Sequence, residues 1–242
     1  MPTHPFLRPL PRNWILGVSL IIGLGLLGAL LGNAAIRVKE YERTVRVKGL
    51  AEREFPADQV IWPIQFNRAA NKLAELYVAL DNDAAKIRAY LLLNGIQEPA
   101  ISLSVPMVTD KSAQQYGGGT PSEYRYAGVQ TVTVFSDHVE RVREVMAGLS
   151  ELGKQGVVLA GGFQAQTEYL FTRLNEVKPA LIEEATRHAR AVANKFADDS
   201  DSQLGKIRKA DQGQFVIQPR DTHNPHIKRV RVVSTLEYYL VD

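Results

Sequence analysis

Thr44-Val45-Arg46-Val47-Lys48-Gly49 opens the part of the chain that folds, and Gln59-Val60-Ile61-Trp62-Pro63-Ile64-Gln65-Phe66 follows it beyond Pro56. In the first stretch valine alternates with polar residues, the period of a half-buried strand. The second is rich in β-branched and aromatic side chains and reads as another strand. Pro63 has no backbone N–H to donate, so this strand is expected at an edge or a bulge. Strands that follow one another without an intervening helix favour antiparallel pairing. They point to an α+β fold rather than a doubly wound sheet.

Reading toward the C-terminus, a helix is predicted over 67–94, because Leu73, Leu76, Leu80, Ala84, Ile87 and Leu91 recur at helical spacing. Gly95 is placed to cap it, with Ile96 packing back on the last turn. A strand is expected over 100–108. The stretch 110–123, with Gly117-Gly118-Gly119 and Pro121, reads as an exposed loop. Residues 124–135 form a strand, carried by Val129, Thr131, Val132, Thr133 and Val134. A second helix opens at Ser136 or Asp137, with Glu140 placed for a capping box. Its stripe is Val139, Val142, Val145 or Met146, and Leu149. A strand over 157–171 is expected to break at Gly161-Gly162. A third helix covers 175–197, with Leu181, Ala185, His188, Val192 and Phe196 on one face. Alanines at 185, 189, 191 and 193 suggest close packing. Strands over 205–218 and 227–241 close the chain. The expected architecture is α+β, a mostly antiparallel sheet or sheets packed with about three main helices. Each half reads strand, helix, strand, without residue-level repetition.

Reading toward the N-terminus, residues 14–36 carry no charged side chain. A helix rises ~1.5 Å per residue, so about 20 residues cross the hydrocarbon layer. Trp14 stands at one end, where an indole suits the interface. A cleaved signal peptide is the alternative, since Gly32, Ala34 and Ala35 are small enough for a cleavage site. The apolar run exceeds the usual signal core, which favours an uncleaved transmembrane anchor. Gly28-Ala29-Leu30-Leu31-Gly32 matches GxxxG, a single match in a segment type where glycine is common. The chain is thus read as a short tail (1–13), a transmembrane helix (14–36), a linker (37–43) and a folded domain (44–242). Arg8 and Arg12 precede the helix, whereas Arg37, Lys39, Arg43, Arg46 and Lys48 follow it. A positive-inside count puts the domain in the cytoplasm.

The composition is that of a globular protein, 45% apolar and 23% charged over 242 residues. The net charge of +3, with basic residues scattered among acidic ones, gives no basis for nucleic-acid binding. The absence of cysteine excludes disulfides, thiolate catalysis and cysteine metal sites.

No nucleophile elbow, P-loop, dinucleotide fingerprint or H-E-x-x-H motif is present. Gly117-Gly118-Gly119 is not followed by a helix opening, so a loop is preferred over a phosphate cradle. His223-Asn224-Pro225-His226, with Asp221, is the one metal-like spacing. Zinc commonly takes three or four protein ligands, and a polar proline-bearing loop is the preferred reading. Asp198-Asp199-Ser200-Asp201-Ser202 lacks the glycine and distal glutamate of a calcium loop and reads as a helix-to-strand turn. His188 lacks an evident nucleophile to serve and reads as a core-edge or interface histidine. No catalytic, cofactor or metal residues are assigned.

Four segments together resemble the SIMPL domain, the YggE-like family of bacterial envelope proteins. They are Val45-Arg46-Val47-Lys48-Gly49-Leu50-Ala51-Glu52 with Pro56-Ala57-Asp58-Gln59-Val60; Leu92-Leu93-Asn94-Gly95-Ile96 with Ile101-Ser102-Leu103-Ser104; the strand 124–134 running into Ser136-Asp137-His138-Val139; and the alanine-rich helix with Leu204-Gly205-Lys206-Ile207. The family favours Pro-Asp in the first segment; here Ala57 stands between Pro56 and Asp58. The resemblance implies an exported domain facing the periplasm, held at the bacterial inner membrane by a single span. It also implies links to stress responses and self-assembly into rings or larger homo-oligomers. The partners expected are further copies of the chain and the bilayer. The resemblance carries no catalytic residues, so a non-catalytic scaffold or enclosure is expected, with a monomeric periplasmic module that binds a ligand or protein as the alternative. On topology it opposes the charge count, and the resemblance is followed.

Overall fold

The computed structural model describes residues 12–40, 43–113, 123–161 and 165–241. Among them the helices are α1 (Arg12–Glu40), α2 (Leu73–Leu93), α3 (Val139–Ala147), α4 (Ser150–Lys154) and α5 (Leu174–Asp199). The strands are β1 (Thr44–Pro56), β2 (Gln59–Ala70), β3 (Ile101–Leu103), β4 (Met107–Asp110), β5 (Tyr126–Ser136), β6 (Glu168–Leu170), β7 (Gln203–Gln212), β8 (Val216–Pro219) and β9 (Ile227–Val241). The α+β expectation holds, with two antiparallel sheets following one apolar N-terminal helix. Within α1, the uncharged apolar stretch Leu16–Ile36 is not buried against the rest of the protein. It is long and apolar enough to cross a membrane.

The folded residues divide into two compact units. An anchor-bearing unit gathers residues up to Ala51, Ile182–Gln214 and the chain from Val232 onward. A five-stranded unit gathers Glu52–Leu181 and Phe215–Arg231. In the latter, β2 and β5 pair from Val60↔Ser136 to Ala70↔Tyr126, and the sheet order is β3-β5-β2-β6 with β4 also on β5. From Val60 to Phe66 every second residue of β2 is buried, namely Val60, Trp62, Ile64 and Phe66. The α2 stripe Leu76, Leu80, Ala84, Ile87 and Leu91 belongs to the same core, with Val132, Val134, Val142, Val145 and Leu152. Each such large aliphatic or aromatic side chain contributes roughly 1.5–3 kcal/mol on burial, so this core dominates the unit's stability. Gly95 caps α2 at φ +82°, its N–H donating to Leu92 O, while the Ile96 N–H donates to Leu91 O. Ile96 is buried against the core, as the sequence predicts.

Several boundaries differ from expectation. The helix predicted from residue 67 begins at Leu73, because β2 stays paired with β5 through Ala70. Pro63 lies in an interior strand; among the described residues, pairing on the β6 side covers Gln59–Ile61 and a bridge from Phe66 to Leu159, and does not include the proline. The strand expected over 100–108 splits into β3 and β4, both on β5. Over 157–171 the described strand structure is the Leu159 bridge and β6; Gly162 lies outside the described residues. The strand expected over 205–218 splits into β7 and β8, with the Gly213 N–H donating to Val233 O between them. The capping box at Asp137 does not form. His138 is the N-cap of α3, without a side-chain cap, and the helix stops at Gly148 before α4.

The third helix departs most instructively. The residues of α5 that are buried are Leu181, Ala185, Ala189, Ala193 and Ala197, whereas Val192 and Phe196 are exposed. In the anchor-bearing unit, Ala189 and Ala193 pack with Val47, Leu236 and Tyr238. A methyl group added to Gly49 would lie 1.8 Å from Ala185 O and 2.5 Å from Ala189 N. Backbone approach this close leaves room only for glycine on β1 and alanine on α5. The bulkier residues are turned outward.

Candidate functional site

Among the described residues of the five-stranded unit lies a cleft of about 410 Å³. Its wall comes from the turn after α2 (Gly95, Gln97, Pro99), from Gln59 at the start of β2, and from Phe135 to His138 with Arg141 where β5 passes into α3. Gly95 lets the Arg141 guanidinium lie close over it, 3.2 Å from where a Cβ would stand. Arg141 also pairs with Glu144 at 2.9 Å. Ser136, Asp137 and His138 meet here, a trio that invites comparison with a hydrolytic triad. The geometry does not support one. Ser136 Oγ accepts from the His138 backbone N–H at 3.0 Å, and His138 Nε2 stands 3.6 Å from Asp137 Oδ1. A triad needs the imidazole itself on the hydroxyl, with the carboxylate orienting its other nitrogen. What remains is a surface with amide, imidazole and guanidinium donors beside an exposed phenylalanine.

The residues weighed from sequence fall elsewhere. Asp221 accepts from the N–H groups of His223 and Asn224, from the Asn224 side chain and from Arg220 Nε. Arg220 beside it, then Asn224 and the two N–H groups, hold its carboxyl well below the usual carboxylate range. Asp221 thus builds the turn. His226 packs edge-on to Tyr169 at 6.0 Å, and burial pushes its imidazole below the ordinary value. Asp198–Ser202 is the capping turn of α5. The Ser202 N–H donates to Ala197 O, and Asp201 takes φ +52°, which aspartate tolerates better than most residues. His188 Nδ1 lies 2.7 Å from Leu50 O, a contact that requires the proton on Nδ1. Among the described residues no three metal-ligating side chains converge. Gly117-Gly118-Gly119 lies outside the described residues.

Two positions of structural weight escaped the sequence reading. Asp58 accepts from the Thr172 N–H at 2.9 Å and Oγ1 at 3.1 Å, and from the Arg173 N–H at 3.1 Å. It thereby fixes the chain entering α5. Burial alone would raise its carboxyl, but the N–H groups of Thr172 and Arg173, with their side chains, outweigh burial and lower it. Asp83, with 1% of its side chain exposed, is gripped by Arg68 Nε at 2.5 Å and Nη2 at 2.9 Å. Only the Pro-x-Asp context of Asp58 was visible in advance.

No curated protein matches the chain. A family model described as SIMPL, protein of unknown function (DUF541), matches residues 45–231. That match runs from the first strand, past Asp58, the capped α2, the cleft and the alanine helix, into β9, and on it the chain belongs to the SIMPL family.

Proposed function

We propose that this is a membrane-anchored SIMPL-domain protein whose copies associate at the bacterial cell envelope into a ring- or cage-like homo-oligomer, acting as a non-catalytic scaffold or enclosure. The observation that carries the reading is the β3–β4 rim. Among the described residues these short strands end the five-stranded sheet, and they and the residues between them expose Leu103, Val105 and Met107, with Val105 81% exposed. An open sheet edge bearing apolar side chains is a template for association with another chain. The α1 helix supports the reading further, since copies confined to one bilayer have a raised effective concentration. Family membership favours the inner membrane, with the folded part in the periplasm and a role in stress responses. Protease protection in spheroplasts tests the placement. Particle mass in mild detergent tests the assembly. The wild type is expected as a uniform oligomer and Val105→Glu as smaller species, and a strictly monomeric wild type would end the proposal.

The second reading, a monomeric module binding a ligand or protein, is favoured by the cleft at Gln59, Gln97, His138 and Arg141. Arg141→Ala would then abolish ligand capture while leaving particle mass unchanged.

A further inference from the structure

The covalent path from α1 to the fold is short. The helix runs past Ile36 to Glu40, about 6 Å along its axis. From Glu40 to Arg43 an extended chain spans at most about 11 Å. Arg43 is therefore held within roughly 17 Å of the hydrocarbon edge, of which the headgroup layer occupies about 5–8 Å.

Arg43 is also where one end of the anchor-bearing unit is gathered. Its Nη2 donates to Ser202 Oγ at 3.2 Å, at the exit of α5, and its carbonyl accepts from the Leu240 N–H at 2.9 Å. Gln203 at the start of β7 pairs with Val241 at the end of β9. This end of the unit presents two exposed apolar side chains, Phe196 in the last turn of α5 and Val241, 54% and 53% exposed. Lys195 beside Phe196 is ion-paired to Asp199, and Asp198 and Asp201 are exposed in the same turn. The rim thus has apolar contacts to bury, beside carboxylates that stay in water and give anionic lipid nothing to attract. Aromatic and aliphatic side chains with polar neighbours suit the bilayer interface.

We propose that this rim docks on the surface of the bilayer that holds α1, with Phe196 and Val241 seated in the headgroup layer. The occupant is lipid, and the contact rests on the reading of α1 as a membrane span. It sets which end of the anchor-bearing unit faces the membrane, whichever compartment the domain occupies.

The natural chain has no cysteine, so a single introduced cysteine carries one fluorescent label. The full chain is reconstituted in phosphatidylcholine vesicles bearing nitroxide on the headgroup or at mid-chain. Phe196→Cys and Val241→Cys probe the rim, and Leu24→Cys probes the middle of α1. Gln212→Cys, at the far end of β7 and about 30 Å along the strand, is the control. Headgroup nitroxide is expected to quench most of the emission at 196 and 241 and to leave 212 unchanged, with no loss of quenching at high salt. Label 24 is expected to be quenched by mid-chain nitroxide. Quenching at 24 without quenching at 196 or 241 overturns the docking while the span stands. No quenching at 24 removes the span and the docking with it. A label at 196 shielded from aqueous iodide but untouched by lipid nitroxide shows another copy covering the rim, and overturns the proposal. Loss of quenching at high salt overturns the apolar seating.

Discussion

Replacing Arg68 by alanine should cost more stability than replacing Asp83, its partner. Asp83 has 1% of its side chain exposed and Arg68 29%. Without Arg68, the buried carboxylate keeps, among the described residues, Lys86 at 3.6 Å. Without Asp83, the guanidinium retains its contact to Gly156 O at 2.6 Å and can reach water. Breaking a buried pair costs about 3–5 kcal/mol, so Arg68→Ala belongs near the upper figure and Asp83→Ala near the lower. With a urea slope of about 2 kcal/mol/M, the midpoints fall by roughly 2.5 M and 1.5 M. Trp62, buried on β2, reports unfolding of the five-stranded unit by fluorescence, against the steady signal of exposed Trp14. A double substitution, Arg68→Met with Asp83→Leu, removes both charges and should be much milder than the sum of the single losses. Lys86→Ala should cost less than about 1 kcal/mol, since that lysine is 40% exposed. Equal losses for the two single variants, or losses under about 1 kcal/mol, would refute the reasoning from burial asymmetry.

Gly49→Ala should lower stability by about 3 kcal/mol or more, because the new methyl meets α5 backbone that cannot step aside; thermal unfolding followed by circular dichroism checks it. Asp58→Ala should cost about 2–3 kcal/mol by losing bonds to Thr172 and Arg173. The Asp58 carboxyl is lowered from its ordinary 3.8, so its contribution is complete above that value and lost as pH falls below it. Asp58→Asn should flatten the acid limb of the stability profile, and an unchanged limb would show that another carboxylate dominates. Arg125 beside Asp110, with Ser112, pulls that carboxyl down to about 2. In Arg125→Ala its NMR titration midpoint should move up toward 3.8.

The sequence was sufficient wherever the deciding interaction is local. An uncharged run long enough to cross a bilayer, the Gly95 cap and the core stripe of α2 all depend on residues within a few positions of one another. Strand alternation likewise identified β2, β5 and β9, because the pleat has a fixed period. Periodicity shows that an element has a face, but it does not name what that face meets. Val192 and Phe196 are more apolar than Ala189 and Ala193, so hydropathy placed them inward. The approach of α5 to Gly49 reversed this, since the distance between the two backbones admits only small side chains. Asp58 and Thr172 stand 114 residues apart, and Arg68 reaches Asp83 only because β2 turns directly into α2. The chemistry of Asp58 and Asp83 therefore depended on which distant or differently folded segments came within a hydrogen-bond length, and that was decided by the tertiary structure alone.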